Sequence, residues 1–285
     1  MVTTQEGNGG LPFIYIVNQA AQAKICLLGA TVLEYQPQDA NPVLWTSPNS
    51  LYQVGTPIRG GIPVCWPWFG THPTPGFPAH GFVRTQLWRM IHSEEVSPEL
   101  TLVELGIEDD ETSRRLWPHA FSLRLQVRVG AELSVTLAST NRSTAHFPFS
   151  AALHTYFQIA DIDTIQVTGL ENVPFLSKVH NFEQFVEADP IKITRQTDRV
   201  YLDTASTCVI HDPDWQRQII VEKEGSQTSV VWNPWSKISS EVADLGPGAY
   251  RHYVCVETVV GPQEKLHLAP GATHELTTRF RLAPE

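Results

Sequence analysis

The chain has 285 residues, 42% of them hydrophobic and 18% charged, so it can bury a large core, and it carries 20 Lys and Arg against 30 Asp and Glu for a net charge of −10. A surface of that sign repels polyanions at long range, which sets nucleic acids and anionic membranes aside as partners. No apolar run approaches the roughly 20 residues of a bilayer span, and the N-terminus MVTTQEGNGG lacks the basic and apolar stretches of a secretory leader. Four cysteines, Cys26, Cys65, Cys208 and Cys255, lie far apart with no C-x-x-C pair. That argues against a zinc knuckle or a disulfide framework and suits the reducing cytoplasm. The Asn141-Arg142-Ser143 sequon is accordingly read as accidental.

In chain order, residues 1–10 read as a flexible leader. Strands are expected at Phe13–Val17, Ala23–Leu28, Leu87–His92 and Leu100–Ile107. The clearest alternation is Ser122–Val129, with Leu123, Leu125, Val127 and Val129 on one face and Arg124, Gln126 and Arg128 on the other. Leu133, Val135 and Leu137 resume it after Gly130 and Ala131, which predicts a hairpin. Further strands are expected at Thr164–Thr168, Thr207–His211, Gln218–Glu222, Ser229–Trp232, His252–Thr258 and Leu276–Leu282, with one short helix at Lys237–Asp244. Many strands, few helices and no linker predict an all-β antiparallel sandwich forming a single domain over 1–285.

Two stretches fit neither strand nor ordinary turn. Residues 56–78 hold Pro57, Pro63, Pro67, Pro73, Pro75 and Pro78 together with Trp66, Trp68 and Phe69. The prolines forbid helix and remove ladder donors, whereas three large rings argue for an ordered, functional loop. The second is Trp232-Asn233-Pro234-Trp235, a strand running into a turn between two indoles.

Several residues carry candidate chemistry. Arg59 precedes Gly60-Gly61, and Arg84 closes His80-Gly81-Phe82-Val83-Arg84. Guanidinium groups chelate phosphate bidentately, and neighbouring glycines let backbone approach an anion; a surface salt bridge explains either arginine as well. In Tyr253–Thr258, Tyr253, Cys255 and Glu257 share a face opposite Val254 and Val256. A carboxylate there is poorly solvated and biased towards a base's pKa, or it simply reaches water at a strand end. His154 shares a face with Ala152 and Tyr156, as a catalyst or as a hydrogen-bonded core histidine. His72 and His80 belong to no metal-ligand spacing, and no nucleophile elbow, P-loop or dinucleotide fingerprint occurs. No metal or organic cofactor is expected.

Taken in order, PIRGGIPVCWPWFG (57–70), HGFVR (80–84), LHTYF (153–157), DRVY (198–201), WNPW (232–235) and VCVE (254–257) make the chain resemble the hexose-6-phosphate mutarotases, a branch of the aldose 1-epimerase superfamily, from about residue 11 to 282. The resemblance implies a large galactose mutarotase-like β-sandwich with an open cleft. It implies His154 and Glu257 as catalytic residues, and Arg59, Arg84, Asp198 and His80 as substrate-binding ones. The implied substrate is a small-molecule sugar phosphate, and a monomer is expected. The implied reaction interconverts α and β anomers of a hexose 6-phosphate by ring opening. Glu257 is expected as base towards the anomeric hydroxyl and protonated His154 as acid towards the ring oxygen, from opposite sides of the ring. Trp66, Trp68 or Trp232 could offer an apolar face to the sugar, and packing explains any one of them equally well. Two positions depart from the family pattern: Ala79 replaces a polar residue before His80, and Thr258-Val259 replace Pro-Gly after Glu257. Alternatives are a mutarotase for free aldoses, a non-catalytic sugar-phosphate sensor and a two-carboxylate glycosidase; no second carboxylate of comparable context partners Glu257 for the last.

Overall fold

A computed structural model describes residues 1–261, 263 and 265–284. Its frame is two eight-stranded sheets, and every strand pairing in them is antiparallel. The back sheet contains the expected hairpin, Phe121–Val129 with Glu132–Asn141, in a register that sets Leu125 opposite Leu137 and Val127 opposite Val135. Its apolar face is fully buried, as alternation of this kind requires.

The second sheet carries the site. Its neighbours run Glu183–Phe185, Phe175–Ser177, Thr197–Tyr201, Thr228–Asn233, Tyr253–Val260, Ala151–Leu153 and Val64–Cys65, with Tyr156–Gln158 also on Tyr253–Val260. Val231, Val254, Val256, Leu153 and Phe157 point inward and join Leu123, Leu125, Val135 and Phe280 in one core cluster. The opposite face looks outward into a cleft.

Several elements depart from expectation. Residues 1–10 are not a loose leader, because Val2–Glu6 is a strand paired from Val2 opposite Ile16 to Glu6 opposite Pro12, at the edge of a four-stranded sheet. A second helix, Glu111–Leu116, was not expected, and the expected one is Trp235–Glu241, which starts two residues and ends three residues before the predicted span. Asn233 Oδ1 accepts the Trp235 N–H at 2.9 Å and starts it, and the chain leaves helical geometry at Val242. Thr197–Tyr201 had no alternation long enough to be read, and the run read around His154 is two short strands, Ala151–Leu153 and Tyr156–Gln158. Asn141 is fully buried and its side-chain amide donates to Ala145 O and Leu268 O, so it is a structural residue rather than a glycan acceptor. No helix among the described residues is long and apolar enough to cross a membrane.

Candidate active site

The cleft floor follows from strand register. Leu153 opposes Thr258 and Tyr156 opposes Cys255, so the same register sets His154 opposite Glu257. On the other side Val230 opposes Glu257, and Trp232 lies between Cys255 and Asp198. Alternation therefore presents Asp198, Val200, Trp232, Glu257, His154 and Tyr156 on one surface, where they line a cleft of about 650 Å³. Ladder pairing is interrupted at His154 and Thr155, where the backbone N–H of His154 donates to Pro63 O.

His154 Nε2 lies 3.3 Å from Glu257 Oε1, and both side chains are almost wholly buried. The imidazole stacks on Tyr156 with centroids 4.8 Å apart and planes 15° apart, which fixes its orientation. Among the described residues Glu257 Oε2 and His154 Nδ1 have no hydrogen-bond partner, which leaves both atoms able to meet a ligand. Burial raises the Glu257 pKa well above its ordinary value; Lys178 opposes this and Asp198 adds to it. Burial also pushes His154 well below its ordinary value, with His80, Arg84 and Arg59 acting the same way. Both groups are thus driven towards their uncharged forms, a carboxylic acid beside a neutral imidazole. The expected protonated form of His154 is therefore opposed by its surroundings. The pair still holds one proton between two sites, the same inventory as carboxylate and imidazolium.

The cations differ from expectation. Arg59 lines the cleft; its Nε donates to Asp244 at 3.1 Å and its Nη1 to the Tyr156 hydroxyl at 3.4 Å. Burial works against its charge, but Tyr156 and Asp244 outweigh that and leave its pKa raised. The glycines after it do not open the backbone to a ligand. A Cβ on Gly60 would strike the Thr46 Cα, one on Gly61 would overlap the Val32 carbonyl, and the Gly61 N–H is spent on Trp45 O. Arg84 does not line the cleft and donates to Ala79 O at 2.8 Å; among the described residues its buried Nε has no partner. Lys178 does line it, with Nζ 3.4 Å from Asp198 Oδ1.

His80 is held at a positive φ of 62° and packs edge-on to His154, with centroids 5.8 Å apart. Burial, with Arg84, Lys178 and Arg59, pushes its pKa down to about 3. The ring is therefore neutral. The Gly70 N–H donates to Nδ1 at 3.3 Å, which leaves the ring proton on Nε2 as a donor. Of the three tryptophans considered, Trp232 lines the cleft, whereas Trp66 sits among Phe82, Phe121 and Trp117 in the core and Trp68 packs on His72 and Phe77. Among the described residues no group of three or more His, Cys, Asp or Glu is arranged to hold a metal.

This geometry can be set beside known proteins. The aldose 1-epimerase family pattern matches residues 12–281. The chain belongs to the aldose 1-epimerase family. A Salmonella typhimurium relative named "Putative glucose-6-phosphate 1-epimerase" is 34% identical over 263 residues, spanning 91% of this chain and 87% of its own. One of the same name from Escherichia coli K12 is 36% identical, over 87% and 83% of the two chains. A solved Salmonella typhimurium structure described as a "putative mutarotase" superposes with a TM-score of 0.94 at 30% identity, covering 100% of this chain and 94% of that one. The all-β mutarotase-like sandwich is shared with it.

Within this aldose 1-epimerase fold the cleft gathers His154, Glu257, Arg59, Asp198 and His80, and its lining does not include Arg84. Reading the sequence missed Lys178, Phe69 as a cleft ring, and the Tyr156 hydroxyl. Phe69 and Tyr156 stood inside quoted motifs and could have been drawn from them. Lys178 lies in an unpatterned stretch, LSKVHN, and no sequence signal marks it.

Proposed function

We propose that the chain is a sugar-phosphate mutarotase, interconverting the α and β anomers of a hexose 6-phosphate, glucose 6-phosphate being the named substrate of its relatives. The observation that carries the reading is the buried His154–Glu257 pair, 3.3 Å apart, on the floor of a cleft edged by Arg59 and Lys178.

Mutarotation needs a proton taken from the anomeric hydroxyl and one given to the ring oxygen. Both oxygens are bonded to C1 and lie close together, so two groups in contact can serve both. The opposite-sides arrangement expected from sequence does not fit a pair this close. Transfer of the shared proton from Glu257 to His154 across their contact gives carboxylate and imidazolium. Glu257 then accepts the O1 proton while His154 donates to the ring oxygen. The C1–O5 bond breaks, the aldehyde rotates about C1–C2, and closure on the other face returns both protons. Positioned proton transfer of this kind contributes about 10²–10⁴-fold, ample for a reaction that already runs slowly in water. Asp198 accepts from ring hydroxyls, His80 Nε2–H donates to the sugar, and Trp232 offers an apolar face. Arg59 meets the phosphate, whose charge of about −1.5 to −2 opposes the chain's own negative field. Arg84, outside the cleft lining, acts through its charge on His80 and His154.

Magnetisation-exchange NMR on the anomeric protons of glucose 6-phosphate and of free glucose tests this. The protein should accelerate exchange of the phosphorylated sugar, and Arg59→Ala should slow that exchange far more than any exchange of free glucose. Acceleration of free glucose alone would move the substrate to unphosphorylated aldoses. Binding without acceleration of either sugar would make the domain a sensor.

A further inference from the structure

Lys178 is the one cation lining the cleft, among the described residues, that no motif carries. It opens the 3-10 turn Lys178–His180 directly after strand Phe175–Ser177. Ser177 opposes Arg199, so Lys178 stands level with Asp198 on the cleft face. Its Nζ lies 3.4 Å from Asp198 Oδ1 and 5.1 Å from the centroid of Phe69, a ring of the proline-rich loop. The ammonium therefore spans two segments above one carboxylate.

That carboxylate has a restricted set of neighbours. Glu257, His154, His80 and Arg59 share the cleft with Asp198. On its outer side Asp198 borders a small hollow with His180, Glu187, Arg195 and Arg199. Arg199 is committed to Glu187 at 2.6 Å, and His180 Nδ1 to the Ser177 hydroxyl at 2.8 Å. Burial pushes the Asp198 pKa up, and Lys178 is the group that pulls it back.

We propose that Lys178 is a positioning residue that holds Asp198 as a carboxylate aimed at the sugar hydroxyls and does not itself bind the phosphate. The inference rests on the sugar-phosphate reading of the cleft. Moving the ammonium to a phosphate would leave the half-buried Asp198 carboxylate without its ion-pair partner beside a dianion, which is unfavourable. Since ring hydroxyls are common to both sugars, losing Lys178 should harm phosphorylated and free glucose alike, unlike losing Arg59.

Two measurements on the full chain test this. Carbon-detected NMR titration of the Asp198 carboxyl should show its pKa higher in Lys178→Met than in the wild type, and largely restored in Lys178→Arg. Anomer exchange should fall roughly tenfold in kcat/KM for both sugars in Lys178→Met, about the contribution of one hydrogen bond to a charged group. The same change should add little in an Asp198→Asn background. An unmoved Asp198 titration overturns the proposal, as does a defect confined to the phosphorylated sugar, which would make Lys178 a phosphate ligand. If the wild type accelerates neither sugar, the mutarotase reading fails, while the titration still decides whether Lys178 holds Asp198 ionised.

Discussion

Glu257 costs the fold stability in order to serve the cleft. Burial holds its folded pKa well above the ordinary value of 4.5. Between those two values the folded chain keeps a proton that the unfolded chain has released, so stability falls as pH rises, by at most about 1.4 kcal/mol per pH unit for one proton. His154 works in the opposite sense. Its folded pKa is depressed, so its contribution is present above the unfolded value of 6.5 and is lost as pH falls. A comparison made above about pH 6.5 therefore isolates Glu257. Glutamine keeps the shape and the contact with His154 but has no proton to lose. Glu257→Gln is expected to reduce anomer exchange about 10²–10⁴-fold. Its melting temperature should exceed that of the wild type by a margin that widens as pH rises above about 6.5. A margin that does not change with pH would mean that Glu257 is ionised in the folded protein. The alternation around Glu257 was readable, because Val254 and Val256 fix the inward face and leave Cys255 and Glu257 to the other. Its partner was readable only as a motif. His154 becomes a partner through the register of two strands far apart in the chain, and no local pattern encodes that register.

The proline-rich segment shows what an element-scale reading can and cannot yield. Its rings and prolines rightly marked an ordered loop beside the site, but Gly60, Gly61 and Gly81 serve close backbone packing rather than an anion. Gly81 is the sharpest case. It sits at a φ of +73°, and a Cβ there would overlap the Trp66 carbonyl in a backbone already tied by Phe82 N–H to Trp66 O at 3.1 Å. It also adjoins His80, whose positive φ shares the same turn. Gly70, on the same loop with a φ of +87°, has nothing within 4 Å of a Cβ. Gly70→Ala is thus expected to cost only backbone strain, about 1–2 kcal/mol. Gly81→Ala must move backbone, should cost several kcal/mol, and should slow anomer exchange through His80. Urea melts of the two variants give the comparison, and equal costs would show that the loop can yield at Gly81. Sequence shows that glycine is present in both places; which atom lies opposite is a tertiary fact.

At the scale of the whole molecule, the sheets were legible as alternating strands, but the joint between them was not. Arg217 opens a back-sheet strand and is 5% exposed, and no feature of its sequence context singles it out. Its Nη1 donates to Asn41 O and Pro42 O, its Nη2 to Gln158 O at 2.6 Å on the cleft sheet, and its Nε to Asp212 at 3.2 Å. Asp212 in turn accepts the Ala160 N–H. One guanidinium thus ties the back sheet to the strand that follows His154 and to the loop leading into the cleft sheet. Burial pulls the Arg217 pKa down and pushes the Asp212 pKa up, each partly offset by the other, so neither charge is comfortable alone. Arg217→Ala leaves a buried carboxylate without a cation and three carbonyls without donors, and should cost about 3–5 kcal/mol. The double variant Arg217→Met, Asp212→Asn removes both charges but orphans the same three carbonyls. If the stranded charge is the larger part of the cost, the double variant recovers most of the lost stability in urea melts, as buried ion pairs replaced whole often do. If the carbonyls dominate, it recovers little. The joint then acts through hydrogen-bond geometry, and Arg217→Lys, which cannot reproduce the planar fork, should be nearly as unstable as alanine.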